Sequence, residues 1–558
     1  MHLGFLIFLV ALGGSAPVLA AANGPDSAIF QAMEAEIERS LTDLKIDVFN
    51  PPYFLLYQIR HHDNAEVAAS FGSLIRSNAR QERTLFVDVR VGDKKFDSSH
   101  PHSHRLMPEQ LIPIDNEVPA LRRALWYETD LRYKQAIMNY LKKKGRLISG
   151  LENHDLPDFA RGADPRTRLE PVPDFPVTLA VWEDLAKRVS ARFKQAPNIE
   201  KSLVKIVGNR TIRYYLDSEG TKILDGGTDY GIVLEAWTKT PQGHEMHDQE
   251  TLLYSNLEAL PSLEELNRKA DGLIKNLQAL KKAPAIDPYV GPALFSPDAT
   301  AVLFHEAIGH RLEGDRLRLE KNGKTFLKKV GLPILPDFIT VVDNPRLERF
   351  NGEPLLGHYR LDDQGQKSEE VVLIQNGVLR NFLMSRAPIL GFSRTNGHAR
   401  SDGRRFPISR MGNLIVQSAK TASAERLKAL LIEEVKRQHK PFGLHVKKIL
   451  SGETLTDGGR YQVFKGLPLY MYKVFPDGRE ELVRGAEFVG TPLSMIGKIL
   501  MTGNDTAVIN GFCTAESGVL PVTSITPTVL LSEVELQTAH PQRMRPPILP
   551  PPAVAWTP

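Results

Sequence analysis

The stretch Ser296-Pro297-Asp298-Ala-Thr-Ala-Val-Leu-Phe-His305-Glu306-Ala307-Ile308-Gly309-His310-Arg-Leu-Glu313-Gly314-Asp315 decides how the rest of the chain is read. Ser296-Pro297-Asp298 is a helix start: a hydroxyl at the N-cap, proline at the first helical position and an acid near the positive end of the dipole. The apolar residues 299–304 carry that helix inward. It then delivers His305, Glu306 and His310 as an HExxxH motif. Two imidazoles and a carboxylate on a buried helix are costly to desolvate unless a cation or hydrogen bonds meet them. The spacing is one residue longer than HExxH. An i,i+4 pair sits about 40° apart around a helix, an i,i+5 pair about 140° apart. A regular helix therefore aims the two imidazoles away from each other. A π-bulge, or a helix loosened at Gly309, would bring His310 back beside His305, so the motif predicts a distorted helix end. The plain alternative is a helix with two hydrogen-bonded core histidines and a capping glutamate.

A metal at such a motif needs a third protein ligand, and a hydrolytic zinc keeps its fourth position open. Glu313 and Asp315 lie just downstream, His398 sits in Asn396-Gly397-His398, and Cys513 in Asn510-Gly511-Phe512-Cys513-Thr514. Composition does not choose among them. A thiolate is a good zinc ligand, whereas a lone cysteine more often simply packs as a small buried group.

Working outward, the chain has 558 residues, 70 basic against 66 acidic, and one cysteine. That length predicts two domains. The balanced charge calls for neither nucleic acid nor an anionic membrane as partner. A single cysteine excludes an internal disulfide and any multi-cysteine cluster. Residues 1–22 read as a secretory signal, with an apolar core from Leu3 to Leu12 and small residues at Ala20-Ala21-Ala22, although no Lys or Arg precedes the core. No other stretch has the eighteen or so apolar residues of a transmembrane helix, so the expectation is an exported, periplasmic or extracellular protein without a stable membrane anchor after signal cleavage.

Helical spacing of Ile29, Met33, Ile37, Leu41 and Leu44 predicts a first helix, and strands are expected at 53–59 and 84–91. A helix over 119–144 is expected to turn Leu121, Leu125, Leu131 and Ile137 inward. The charged surface of 134–144 reads as its solvated face. Residues 155–176 carry five prolines and read as a loop. Further helices are expected over 179–193 and 262–282, with strands at 211–216 and 231–237 between them. A second proline-rich joint falls near 283–291. Beyond it the chain is strand-like, with one helix from about Ser423. The last eighteen residues hold seven prolines and read as an extended tail. The division is thus a signal at 1–22, an N-terminal domain over 23–285, a β-rich C-terminal domain over 286–538 and a tail over 539–558. His100, His102 and His104 suit a solvated loop better than a metal site, and Gly226-Gly227 reads as a turn.

The segment from His305 to Asp315 resembles the signature of the TldD/PmbA family of zinc metallopeptidases, in its HExxxH-bearing, TldD-like branch. Asp362-Asp363-Gln364-Gly365, Ile374-Gln375-Asn376-Gly377, Arg410-Met411-Gly412-Asn413, Val483-Arg484-Gly485-Ala486, Gly503-Asn504-Asp505 and the segment from Cys513 to Glu535 agree in order and spacing. The resemblance covers residues 200–537 well and the first 200 loosely. It implies that His305, His310 and Cys513 hold Zn2+ and that Glu306 handles the proton of the attacking water. It also implies an α+β fold: an α/β N-terminal body and a β-rich, sandwich- or barrel-like C-terminal body that completes the zinc site. A dimer is implied too, either a homodimer or a heterodimer with a paralogue lacking the motif. Three features depart from the family: the export signal, His398 where relatives have arginine, and the proline tail.

The expected function is a zinc metallopeptidase acting on unfolded or extended peptides. Two other readings stand beside it: a non-catalytic metal-binding scaffold or partner subunit, and a zinc hydrolase of a non-peptide amide or ester.

Overall fold

The computed structural model describes residues 25–46, 48–99, 110–149, 155–318, 326–454, 464–490, 492–539 and 549. The signal segment, the cluster of His100, His102 and His104, and nearly all of the proline-rich tail lie outside the described residues.

Seven strands form the first sheet: β1 (Phe54–Ser70), β2 (Ser73–Arg90), β3 (Gln110–Leu111), β4 (Thr167–Leu169), β5 (Lys201–Asp217), β6 (Lys222–Lys239) and β7 (Glu245–Tyr254). Their order is β3-β2-β1-β5-β6-β4, with β7 also on β6. Leu55, Tyr57 and Ile59 of β1 join a core with helices α1 (Pro25–Asp43) and α2 (Val118–Ile148). Ala65 and Val67 join a second core with α3 (Leu179–Ser190) and α4 (Leu263–Lys282). Side chains alternate along a strand, so these odd-numbered positions share one face, and all four helices cover it. Phe54 and Leu56 point the other way and pack with Tyr215, Phe159 and Leu361. That second face leads to the rest of the molecule.

Four expectations change here. The strands foreseen at 53–59 and 84–91 are the apolar ends of a much longer ribbon, paired without a break from Phe54↔Arg90 to Ala68↔Arg76. Its middle is polar and gives no apolar alternation to read. Gly226 and Gly227 lie inside β6, opposite Ile212 and Thr211, rather than in a turn. A side chain at Gly226 would stand 2.9 Å from the Thr211 carbonyl oxygen. On α2, Leu131 is 40% exposed while Leu121, Leu125, Tyr133 and Ile137 are buried. Leu131 lies two residues before Tyr133, about 200° around the axis, which puts it on the far side. Lys143, on the supposedly wet face, is buried and donates to Asp158 Oδ2 at 2.5 Å.

The C-terminal half is built from strands around one short buried helix. β8 (Tyr289–Phe295) pairs in parallel with β13 (Gly443–Thr454) and antiparallel with β18 (Val529–Thr538). β14 (Phe464–Val474) joins β13 to β15 (Ala486–Gly490), and β15 pairs with β18. The ring β8-β13-β14-β15-β18 closes on itself, which removes its exposed edges. A second sheet runs β11-β10-β9-β12-β17-β16, from β9 (Ile339–Asp343), β10 (Val371–Gln375), β11 (Val378–Leu379), β12 (Asn413–Ser418), β16 (Ala507–Ala515) and β17 (Gly518–Thr526). Helix α5 (Pro297–Phe304) is wrapped by this body, with Ala299, Leu303 and Phe304 in its core beside Phe295, Val341, Val446 and Leu531. The helix foreseen near Ser423 is α6 (Ala424–Arg437), capped by the Ser423 hydroxyl, which accepts from the Arg426 N–H. The architecture is α+β, an α/β layer followed by a β-rich body with a barrel. Among the described residues, no helix is long and apolar enough to cross a membrane.

Candidate metal centre

Ser296 takes the N-cap position of α5 and Pro297 and Asp298 open its first turn, but the hydroxyl makes no cap bond. It lies instead 3.0 Å from His445 Nε2. The helix runs regularly to Phe304 and then widens into a π turn over His305–Gly309, followed by a 3₁₀ turn over His310–Leu312. This is the distortion the HExxxH spacing predicts. The extra residue per turn rotates His310 back, so the two rings stand 4.8 Å apart at 87°. Gly309 makes the turn possible: a side chain there would place its Cβ 1.9 Å from Met411 Sδ.

Cys513 comes to this turn from β16, where it pairs with Leu520 of β17. Its Sγ is 3.1 Å from His305 Nε2 and 3.3 Å from His310 Nε2. The ligand atoms of His305, His310 and Cys513 all lie within 4.8 Å of one another, an arrangement able to hold a metal ion. A tetrahedral zinc with its usual bond lengths separates a nitrogen from a sulfur ligand by about 3.5 Å. The donor set and its spacing fit such an ion. Both histidines offer Nε2, leaving Nδ1 for other partners.

Those partners are buried charges. His310 Nδ1 is 3.1 Å from Glu313 Oε2, and Arg316 Nε donates to the same oxygen at 2.6 Å. Arg410 Nε stands 3.5 Å from Glu313 Oε1. Arg410 also donates to the Cys513 carbonyl at 2.9 Å and to Ser517 Oγ at 3.0 Å. Glu313 and Arg410 are fully buried. Burial pushes the Glu313 carboxyl up, but His310 and Arg316 outweigh it and hold the pKa well below the usual range. Burial also favours neutral His310, yet Glu313 and Cys513 raise its pKa to about 10. For Cys513, burial raises the thiol pKa and the two histidines lower it, leaving about 5. The charged forms of His310 and Cys513 thus favour each other across their 3.3 Å contact.

Glu306 is buried next to His305, and its charge acts on Arg311, which is buried as well. The remaining candidates lie elsewhere. Asp315 Oδ2 accepts the Ser409 N–H at 2.8 Å, and its own N–H donates to Ser409 Oγ. His398 is fully buried, with Nε2 3.3 Å from Asp343 Oδ1 and Nδ1 2.9 Å from Asn396 Oδ1. Asp343 in turn accepts the Gly412 N–H, one residue after the Met411 that packs on Gly309. Sequence reading missed the supporting roles of Arg316, Arg410 and Glu516, the last of which pairs with Arg316 Nη1. The segment Arg410-Met411-Gly412-Asn413 stood out only for its likeness to the family. No spacing rule links it to residue 310.

This β-rich body, with its His/His/Cys cluster around a widened helix turn, has a counterpart among known families: residues 289–538 match the PmbA/TldA metallopeptidase C-terminal domain. The second half of the chain thus carries a domain of the TldD/PmbA family. The chain is similar to a metalloprotease of Archaeoglobus fulgidus, 27% identical over 48% of this chain and 58% of the relative. It is also similar to a metalloprotease of Methanothermobacter thermautotrophicus, 27% identical over 58% of this chain and 67% of the relative. A zinc metalloprotease TldD homolog of Saccharolobus solfataricus is 24% identical over 63% of this chain and 75% of its own. The matches to the first two curated relatives span 58% and 47% of those proteins. The fold resembles the crystal structure of TldE from Thermococcus kodakarensis, with a TM-score of 0.59 at 16% identity over 91% of this chain and all of that one.

Proposed function

We propose that the protein is a zinc metallopeptidase that hydrolyses peptide bonds of unfolded or extended peptides. The observation that supports this reading is the convergence of His305 Nε2, His310 Nε2 and Cys513 Sγ beside Glu306. Zinc held by these three would act as a Lewis acid, polarising the scissile carbonyl and acidifying a water. Glu306, next to a ligand but outside the ligand trio, accepts the proton of the attacking water and passes it to the leaving amine nitrogen. Glu313 fixes the His310 ring through Nδ1, so Nε2 faces the metal position. Arg410 ties the Cys513 carbonyl to Ser517 and holds the thiolate strand against the helix turn.

The preference for extended peptides rests on β16. This strand carries Cys513 and is an edge strand of its sheet among the described residues. An edge strand offers unpaired main-chain groups to an extended chain laid alongside, whatever its side chains. A dimer, homomeric or with a motif-lacking paralogue, and an exported location belong to the same reading. Analytical ultracentrifugation and fractionation of cells expressing the full chain test those two.

The deciding experiment is Glu306→Gln. Zinc content should equal that of the wild type while cleavage of an unstructured peptide falls by about 10²–10⁴-fold. Undiminished cleavage overturns the mechanism. Wild-type protein that holds zinc and cleaves neither peptides nor small esters supports the scaffold reading instead.

A further inference from the structure

Away from the metal centre, a cavity of about 710 Å³ opens between β4 of the first sheet and the loops around residues 346 and 360–368 of the second half. Its charge is one-sided. Arg166, Arg168, Arg346, Arg360 and Lys367 all line it, with Leu361 the one large apolar side chain of its wall among the described residues. Two carboxylates reach these cations. Glu170 takes Arg168 at Nε, 2.7 Å, and lies 3.6 Å from Arg360 Nη1. Glu348 accepts from Arg360 Nη2 at 2.7 Å. Arg166, Arg346 and Lys367 pair with no carboxylate among the described residues. Five cations against two carboxylates leave three positive charges unanswered around one hollow.

We propose that this cavity binds a small anion carrying a diphosphate group. Like charges crowded around one hollow repel one another, so a ligand that neutralises them is favoured by relief of that repulsion as well as by contact. Guanidinium forks match phosphate oxygens in pairs, and two of the four arginines are already oriented by Glu170 and Glu348, which lowers the entropy lost on binding. A phosphate group carries up to two charges at neutral pH, so two linked phosphates answer a threefold excess within the space of one small molecule. Carboxylates of an acidic peptide would need several residues to do the same. Among the described residues no aromatic side chain lines the cavity, so the anionic group itself carries the recognition. Because Arg166 and Arg168 come from the first half and the other three from the second, the ligand would join the two.

The test uses the full-length, zinc-loaded protein and pyrophosphate as probe, with isothermal titration calorimetry at physiological ionic strength. The expected result is saturable 1:1 binding, at least tenfold tighter than orthophosphate. Arg346→Ala together with Lys367→Ala should weaken it at least tenfold. Lys367→Glu alone should act in the same direction, and Arg349→Ala, whose guanidinium instead donates to the Gly352 carbonyl, should leave it unchanged. Absence of saturable binding at millimolar pyrophosphate overturns the proposal. So does equal binding by wild type and double variant, which would put the probe on the metal, and so does tighter binding of hexaglutamate, which would make the cavity a peptide site. The readout is binding, so a failed peptidase assignment leaves this result standing.

Discussion

His310 and Glu313 are joined through the far side of the imidazole: Nδ1 meets the buried Glu313 carboxylate at 3.1 Å while Nε2 faces Cys513. The contact fixes ring orientation and makes Nε2 the better donor. Loss of such a supporting carboxylate costs about 10–100-fold in metal affinity in comparable sites. Glu313→Gln should therefore retain the fold and lose zinc to a chelator at about 10–100-fold lower chelator concentration than wild type. Equal zinc retention in the two proteins would show that Glu313 serves only Arg316 and Arg410.

Removal of the metal exposes the thiol's own chemistry. Burial favours the neutral thiol, but the two histidines bring the Cys513 pKa down to about 5. In chelator-treated protein the sulfur is then already thiolate at neutral pH. Its alkylation rate by iodoacetamide should change little between pH 6.5 and 8.5, where an ordinary thiol gains about tenfold per unit. His310, with its pKa raised to about 10, carries the balancing proton over that range. Zinc should protect the thiol, and Cys513→Ala should hold no stoichiometric zinc. Alkylation that climbs steeply through pH 8, or undiminished zinc in the alanine variant, would remove the thiolate from the site.

Much of this centre was legible because its information is local. The i,i+5 spacing of His305 and His310 cannot be reconciled with a regular helix, and Gly309 between them marks where the helix gives way. The thiol is a different matter. Cys513 is 208 residues from His305, and only the family likeness, not spacing, singled it out from Glu313, Asp315 and His398. The fold class came with the family likeness, and only the strand-like character beyond residue 291 was legible in the chain itself. The polar middle of the β1–β2 ribbon was not, because a run of polar residues, buried at Asp63 and Arg83 as it is, carries no apolar period. Leu131 shows the opposite failure: an apolar residue on a helix reads as core whether or not the packing reaches it.

Gly309 is held by space rather than by dihedral angle. Any Cβ at this position would lie 1.9 Å from Met411 Sδ. Met411 is itself buried, and Gly412 next to it is tied to Asp343, so the sulfur has little room to withdraw. Gly309→Ala should push the π turn away and misalign His310, at a stability cost of about 1–3 kcal/mol from overpacking. A smaller partner restores room, so Gly309→Ala with Met411→Ala should recover zinc binding that the single variant loses. Full zinc content in the single variant would mean that the turn tolerates the added methyl group.

The two halves are latched by a charge that acid can remove. Asp363 accepts from Arg60 Nη2 of β1 at 2.6 Å and from Arg213 Nη1 of β5 at 3.0 Å, and its other oxygen takes the Ser401 N–H at 2.8 Å. Burial raises its pKa, yet Arg60 and Arg213 outweigh that and hold it below the ordinary carboxylate value. A depressed folded pKa means the contribution is complete above the unfolded value, near 3.9, and disappears as pH falls through the folded one. Asp363→Asn removes it at every pH. The variant should be less stable at pH 7 by about 3–5 kcal/mol, the usual penalty for stranding one side of a buried ion pair. The gap between the two proteins in thermal or urea unfolding should then narrow below about pH 4 as the wild-type carboxylate takes up its proton. A gap that stays constant from pH 7 to pH 3 would assign the loss to the altered hydrogen bonds of asparagine rather than to the charge.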